Sequence, residues 1–164
     1  MSTKRRAYES GHQPKCLVVI DDSPECDRAL YYASRFARRT GATVVMLRII
    51  PTSDRNQQWL GVADIMKAEA QEEAFAALNY AAERATSVGG VPTERAVREG
   101  DATEQILDVI DKDEDISLLV LAAGSSPDGP GPIISGLSKT AATFPIPVAI
   151  VPGNLSDDDI DALS

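Results

Sequence analysis

The sequence predicts an α/β fold, an open doubly wound five-stranded parallel sheet, and three observations lead to that prediction. Short apolar runs rich in β-branched residues recur along the chain, as in strands that are buried on both faces. Segments with apolar residues at helical spacing separate these runs. Gly, Pro and Asp mark most of the boundaries. Strands and helices that alternate through right-handed crossovers form a parallel sheet with helices on both faces.

The predicted strands differ in their apolar character. The first, second and fourth are continuous apolar runs, which suit the interior of a sheet. The third is more polar and contains Pro92, which favours a sheet edge. The fifth lies between Pro147 and Pro152, and we expect it at the other edge. The strands are predicted at residues 16–20, 44–50, 91–97, 118–123 and 148–151.

The first helix has clear start and stop signals. Ser23 and Pro24 predict an N-cap followed by proline at the first helical position, with Glu25 in the first turn. Gly41 predicts the C-terminal end. The third helix is predicted to begin at Asp101, which can act as its N-cap with Glu104 as the capping-box partner. Its expected core-facing residues are Ile106, Val109 and Ile110.

Two further helices are predicted less directly. A long alanine-rich stretch, 63–87, ends before Gly89 and Gly90. Residues 135–143 are compatible with a short helix before the last strand. The core-facing residues predicted for the long helix are Ile65, Met66, Phe75, Leu78 and Ala82.

Length and charge indicate one domain and exclude two classes of partner. The chain has 164 residues, enough to bury a core without disulfides or a structural metal. We expect a flexible tail over 1–14, a domain over 15–153 and an acidic tail over 154–164, with either one capped turn or no regular structure in the last segment. The net charge of −9 repels nucleic acid and anionic membranes.

The rare residues exclude several kinds of site. His12 is the single histidine and lies before the first strand, so a Ser-His-Asp triad, a Cys-His pair or a histidine-ligated metal has nothing to be built from. Cys16 and Cys26 form no CxxC motif and predict reduced, buried thiols in a cytoplasmic protein. No long apolar run or signal-peptide core is present. We predict no metal site and a cytoplasmic location.

An acidic pair follows the first strand and raises one alternative. A receiver-like phospho-acceptor domain places such a pair, here Asp21 and Asp22, beside a Mg²⁺ ion and a phospho-accepting aspartate. Asp64 is the candidate acceptor, although it follows a polar segment rather than an apolar run. The lysine expected after the fifth strand is replaced by Pro152 and Gly153. These differences make the receiver the weaker hypothesis.

Several local motifs together resemble the universal stress protein family. The strongest match is 97–107, which is similar to the family's third strand, its Gly-Asp turn and the start of its third helix. The resemblance covers roughly 15–153 and implies a Rossmann-like sheet of the universal stress protein type. The other matching segments are 18–23, 38–42, 46–50 and 145–151.

The family's phosphate-binding loop is altered in this chain. Nucleotide-binding members carry G-x2-G-x9-G-S/T after the fourth strand. Counting back from Pro147 puts Ile134 at the last glycine, whereas starting from Gly124 puts Pro127 at the second. Prolines at 127, 130 and 132 lack the N–H groups that a phosphate cradle needs, and Asp128 adds a negative charge. The alternative to a phosphate-binding loop is a structural loop that closes the sheet.

The resemblance also implies where a nucleotide would bind. Asp21 and the backbone of Ile49 would meet the adenosine part of the implied cofactor, which is ATP or another adenine nucleotide. Asp21 could instead organise the following turn, and Trp59 could cover the cleft or pack a connection onto the core. The residues implied near the phosphates are Gly124, Ser125, Gly129, Gly131 and Ser135.

These observations favour a non-enzymatic universal stress protein, a homodimer active in the stress response with weak or no adenine-nucleotide binding. The alternative is an ATP-binding member that acts as a nucleotide switch or slow ATPase. The resemblance implies dimerisation by antiparallel pairing of the last strand, where unpaired backbone groups invite a second strand. We also expect a further, unidentified protein partner. The predicted dimer edge consists of Val148, Ala149, Ile150 and Val151.

Overall fold

A computed structural model describes residues 3–52 and 60–164 of the chain. They form five parallel strands in the order β3-β2-β1-β4-β5. The strands are β1 (Lys15–Val19), β2 (Thr43–Ile50), β3 (Thr93–Glu99), β4 (Ile116–Ala123) and β5 (Val148–Pro152). The helices are α1 (Cys26–Thr40), α2 (Leu60–Gly89), α3 (Ala102–Lys112), α4 (Pro132–Ser138) and α5 (Asp157–Leu163), with a 3₁₀ turn over Ala141–Thr143. The predicted fold class and both predicted edge strands are confirmed.

Strand periodicity divides the apolar residues between two cores. Along β1, Val18 faces α1 and α2, whereas Leu17 faces α3 and α4. Both side chains are fully buried. Because each central strand contributes to both cores, the strands are uniformly apolar, which is the pattern that the sequence shows.

The first helix begins later than predicted. Ser23 is not its N-cap, because the Asp21 carboxylate accepts hydrogen bonds from both the Ser23 backbone N–H (2.9 Å) and its hydroxyl. Ser23 and Pro24 therefore belong to the turn after β1, and Glu25 occupies the N-cap position without a side-chain cap. The predicted end is confirmed, since Gly41 has a φ of 76° and its N–H donates to the Ala37 carbonyl.

The predicted inner face of α2 was partly wrong. Leu78 and Ala82 are buried, but Ile65, Met66 and Phe75 are exposed. Small side chains line the buried face instead, because the backbones of α1 and α2 approach closely. A Cβ atom at Gly89 would lie 2.5 Å from the Ser34 carbonyl oxygen. The buried small residues of α2 are Ala74, Ala81, Ala82 and Ala85.

The other helix predictions are largely confirmed. The Asp101 carboxylate caps α3 by accepting from the Glu104 N–H at 3.1 Å, and Ile106, Val109 and Ile110 are buried. The stretch predicted as one short helix divides into α4, which begins at Pro132, and the separate 3₁₀ turn. Pro132 stands at the first turn of α4, where a missing N–H costs no hydrogen bond.

The segment before β1 contacts the domain, which the expectation of a flexible tail did not anticipate. The Arg5 guanidinium donates to the carbonyls of Ile110 (2.6 Å) and Asp113 (2.8 Å) at the C-terminal end of α3. A cation at this position stabilises the negative end of the helix dipole. His12 Nδ1 lies 2.7 Å from an Asp115 carboxylate oxygen, so this histidine holds the segment against the loop before β4.

The acidic C-terminal segment forms α5, in line with the first of the two expected outcomes. Ser156 and Asp159 make a reciprocal capping box at its start. Ile160 is fully buried in the core beside α1. The Arg28 guanidinium pairs with Asp157 at 2.7 Å, so the acidic charges are partly neutralised by α1.

Candidate functional site

The strand order of the sheet indicates where a ligand would bind. Strand order reverses between β1 and β4, and ligands of open parallel sheets bind beyond the carboxyl ends of strands near this reversal. A cleft of about 580 Å³ opens beyond β1, β2 and β3, and a second cavity of about 690 Å³ opens beside the loop after β4. Pro132 lines both.

The structure divides the predicted site residues between these two spaces. Asp21 and Ile49 line the first, which we call the strand-end cleft, together with Gly100 and Asp101. The remaining five line the second, which we call the loop cavity. The loop-cavity residues are Gly124, Ser125, Gly129, Gly131 and Ser135.

Asp21 has the structural role that the sequence analysis left open. Its Oδ1 atom organises the turn after β1 through the two hydrogen bonds to Ser23. The side chain also lines the strand-end cleft, so it can meet a ligand there. The two roles are compatible because a carboxylate has about four lone-pair positions.

Arg48 is a cleft residue that the sequence analysis missed. Its Nη1 donates to the Ile20 carbonyl at 3.2 Å, and its Nη2 lies 3.0 Å from an Asp22 carboxylate oxygen. The guanidinium hydrogen bond and charge lower the pKa of Asp22 below its ordinary value. The sequence feature that could have identified Arg48 is its position as a single cation within the apolar run of β2, two residues before the strand ends.

The loop after β4 uses several of its own N–H groups. The Gly124 N–H donates to the Pro130 carbonyl at 3.0 Å and the Gly129 N–H to the Ser126 carbonyl at 3.1 Å. The Asp128 N–H donates to the Ser126 hydroxyl at 3.2 Å. Glycine is required at 129, where φ is 107°, because L-residues with a side chain rarely adopt this conformation.

Few backbone donors in this loop are left for an anion. Pro127, Pro130 and Pro132 have no N–H group. Within the described residues, the backbone donors of the loop without an acceptor in the protein are those of Ser125, Ser126 and Gly131.

Glu25 places a second carboxylate beside the loop. A Cβ atom at Gly124 would lie 3.0 Å from Glu25 Oε1, so the carboxylate sits directly against the loop backbone. In the described part of the chain no donor contacts this carboxylate. Glu25 and Asp128 both line the loop cavity and would repel phosphate there. From sequence, Glu25 is predicted only as a first-turn residue of α1, because its approach to the end of β4 depends on packing.

Cys26 lies behind the same turn and is a structural residue. Its Sγ is 3.6 Å from the Val19 carbonyl, and burial raises its pKa to about 11. A thiol with a raised pKa is largely protonated near neutral pH and is therefore a poor nucleophile. Both cysteines are free; Cys16 is buried as predicted, whereas Cys26 is only half-buried.

The receiver hypothesis is wrong on topology. Receivers have the strand order 2-1-3-4-5, whereas this sheet has β3 at one edge and β1 at the centre. Asp64 is exposed on α2 rather than placed after a strand. Within the described residues no cluster of His, Cys, Asp or Glu could hold a metal ion.

The open edge of β5 adjoins an apolar groove. Ile150 is 50% exposed, Val148 and Ala149 are half-buried, and Val151 is buried in the core. A groove of about 430 Å³ runs beside this edge and is lined by Leu137, Phe144, Ile146 and Ile150. Trp59, which was considered as a cover for the cleft or a packing anchor, lies outside the described residues.

Comparison with known proteins agrees with the geometry. The model of the Universal stress protein family matches residues 14–152. The chain belongs to the universal stress protein family. A universal stress protein from Lactobacillus plantarum has 17% sequence identity and a TM-score of 0.72, with 84% of this chain and 97% of that one covered.

Other solved universal stress proteins contain nucleotides. One in complex with cAMP has 18% identity and a TM-score of 0.62, covering 86% of this chain and 98% of its own. One from Arabidopsis thaliana with AMP bound has 15% identity and a TM-score of 0.58, covering 88% and 94% respectively. At these identities the likeness shows the shared fold.

No curated protein sequence matches this universal stress protein. Among its described residues, no helix combines the length and apolar character that a membrane span requires.

Proposed function

We propose that this chain is a non-enzymatic universal stress protein that acts in the stress response as a cytoplasmic homodimer. In this proposal the strand-end cleft takes the adenosine part of an adenine nucleotide weakly, and the loop cavity does not hold a triphosphate. The state of the cleft then influences a protein partner rather than a chemical reaction.

The proposal depends mainly on the loop after β4, which has few free N–H donors and two neighbouring carboxylates. Binding a triphosphate requires several donors or cations, because its charge must be neutralised. The loop cavity instead contains the carboxylates of Glu25 and Asp128. Much of the loop's donor capacity is lost to prolines or internal hydrogen bonds. These features oppose the ATP-binding switch and the slow ATPase, which need a held and neutralised γ-phosphate.

The strand-end cleft supports a weaker role for nucleotides. Asp21, Ile49 and Gly100 line a space of about 580 Å³, which is large enough for a nucleoside. The related structures named above hold cAMP and AMP, each with a single phosphate group. A nucleoside with one phosphate avoids most of the repulsion that the loop cavity imposes.

The homodimer is supported by the edge of β5. This strand is hydrogen bonded to β4 on one side only, and the exposed Ile150 continues into the neighbouring apolar groove. An edge with free backbone groups and an apolar side chain favours pairing with another strand.

Calorimetric titration with Mg²⁺–ATP tests the nucleotide part of the proposal. We expect a dissociation constant no tighter than the millimolar range, because donors are scarce and carboxylates are present. Replacing both Glu25→Gln and Asp128→Asn should strengthen ATP binding about tenfold by removing this repulsion. A micromolar constant in the unaltered protein, lost in Asp21→Ala but retained in the distant Asp64→Ala, would establish the ATP-binding alternative instead.

A further inference from the structure

We infer that Arg48 is a specificity-determining residue that binds the phosphate of a nucleoside phosphodiester in the strand-end cleft. This inference rests on the proposed function and names its ligand class, a nucleoside bearing one singly charged phosphodiester. The phosphate would then be held at the end of β2 rather than by the loop after β4.

Arg48 is positioned for this contact by the fold. Its side chain is 12% exposed and lines the strand-end cleft. The Ile20 carbonyl, at the end of β1, holds one guanidinium nitrogen at 3.2 Å. Because β1 and β2 are neighbouring parallel strands, this bond orients the guanidinium across the carboxyl end of the sheet. The cation is therefore already in place before a ligand arrives.

The present partner of Arg48 can be exchanged. The Asp22 side chain is 78% exposed and accepts from Arg48 at 3.0 Å. Because the Asp22 carboxylate is mostly in water while Arg48 is held by the fold, Asp22 can turn away into solvent at small cost when a ligand anion takes its place. Arginine has five donors in a planar fork, which suits the oxygens of a phosphate.

The charges of the cleft favour a single negative charge on the ligand. Arg48 is the one cation among the described residues that line the strand-end cleft and the loop cavity. Asp21 and Asp101 also line the cleft, so each further ligand charge meets repulsion that one arginine does not offset. A cyclic phosphodiester carries one charge, whereas a terminal phosphate monoester approaches two near neutral pH.

Calorimetry with adenosine, cAMP and ATP tests this inference. We expect cAMP to bind about tenfold more tightly than adenosine, as one charge-assisted phosphate contact allows, with ATP the weakest of the three. Arg48→Gln should reduce cAMP binding to the level of adenosine and leave adenosine itself unchanged. Asp22→Asn should strengthen cAMP binding a few-fold, because it removes the competing carboxylate. Arg95→Gln, an exposed arginine on β3 outside the cleft lining, is the matched control.

Two outcomes overturn the inference directly. One is equal cAMP affinity in Arg48→Gln and the unaltered protein. The other is an equal loss of adenosine and cAMP binding, which would mean that Arg48 only maintains the shape of the cleft.

A second measurement separates this inference from the proposed function. Inorganic phosphate is titrated while NMR follows the Arg48 Nε–H and the Asp22 backbone amide signals. If neither adenosine nor cAMP binds, the nucleotide part of the proposed function fails. Phosphate-induced shifts of both signals, absent in Arg48→Gln and retained in Arg95→Gln, would still support the anion site. No shift in the unaltered protein would overturn it.

Discussion

Asp27 belongs to a network of charged side chains that joins three helices. Arg84 of α2 donates to it at 2.9 and 3.1 Å, and Arg28 of α1 donates at 2.7 Å. Arg28 also reaches Asp157 of α5, and both arginines stack near the Tyr31 ring, each guanidinium carbon 5.4 Å from its centroid. A side chain in such a network orients neighbouring helices more than its surface position suggests.

Replacing Asp27→Asn tests this network through its dependence on pH. The Arg84 hydrogen bonds, assisted by Arg28, lower the pKa of Asp27 below its ordinary value of 3.8. The carboxylate therefore stabilises the fold above that value, and this contribution is lost as pH falls through the lowered pKa. Because the side chain is 38% exposed and screened, we expect a loss of about 1 kcal/mol at pH 7.

Urea unfolding at about pH 7 and pH 3 measures the effect of this replacement. The difference between Asp27→Asn and the unaltered protein should shrink at the lower pH, because pH 3 lies below the ordinary pKa of Asp27 and the carboxylate there loses the advantage of a charge that asparagine never carries. Asp64→Asn, an exposed change of the same charge, should have little effect on stability. A difference that is independent of pH would assign the loss to packing instead.

Helix α5 depends on its contacts with α1 and the core, above all on one anchoring side chain, rather than on its helix propensity. It has seven residues, too few to be stable alone, and Ile160 is fully buried against the α1 side of the core. The Tyr31 hydroxyl donates to Asp161 at 2.8 Å and Arg35 pairs with the same carboxylate at 3.0 Å. Burial of Ile160 therefore determines where the acidic segment lies.

Ile160→Ala should lower the free energy of unfolding by about 3 kcal/mol, because it removes buried methyl groups and leaves a cavity. Chemical denaturation provides the measurement. Leu163→Ala, which truncates a side chain of the same helix that is 61% exposed, should change stability by less than about 0.5 kcal/mol. Equal effects from both replacements would show that α5 does not pack through Ile160 in solution.

The whole molecule combines a strongly negative charge with an apolar sheet edge. Each copy carries a net charge of −9, so two copies repel each other at long range. Salt screens this repulsion over about 10 Å at 0.1 M but leaves apolar contact intact. A dimer formed through β5 should therefore become tighter as the salt concentration rises.

Sedimentation at micromolar concentration tests the dimer and its location. We expect the unaltered protein to be a dimer and Ile150→Glu to be a monomer, because the new charge would lie between the paired strands. Leu163→Glu places the same charge at another exposed apolar position and should remain a dimer. A monomeric mass for the unaltered protein, or a dimer that persists in Ile150→Glu, would place the interface elsewhere or remove it.

Local sequence patterns were sufficient to predict the order of strands and helices along the chain. Continuous apolar runs identified the three central strands, and the Asp101 cap and the Gly41 terminus depend on residues close in sequence. The spacing of large apolar residues did not predict the buried face of α2, where Phe75 is exposed and alanines are buried. The physical reason is that the backbone of α2 at Gly89 lies close to the backbone of α1 at Ser34. Small residues fit best where two helices pack this closely.

The same division applies to the candidate site. Sequence alone determined the fold class and the loss of N–H donors to three prolines in the loop, because these follow from residue type and the order of elements. Only the tertiary structure brought Glu25 against Gly124 and Arg48 across the end of β1. These contacts join residues far apart in the chain, so their charges affect a ligand only after packing has fixed the distances between them.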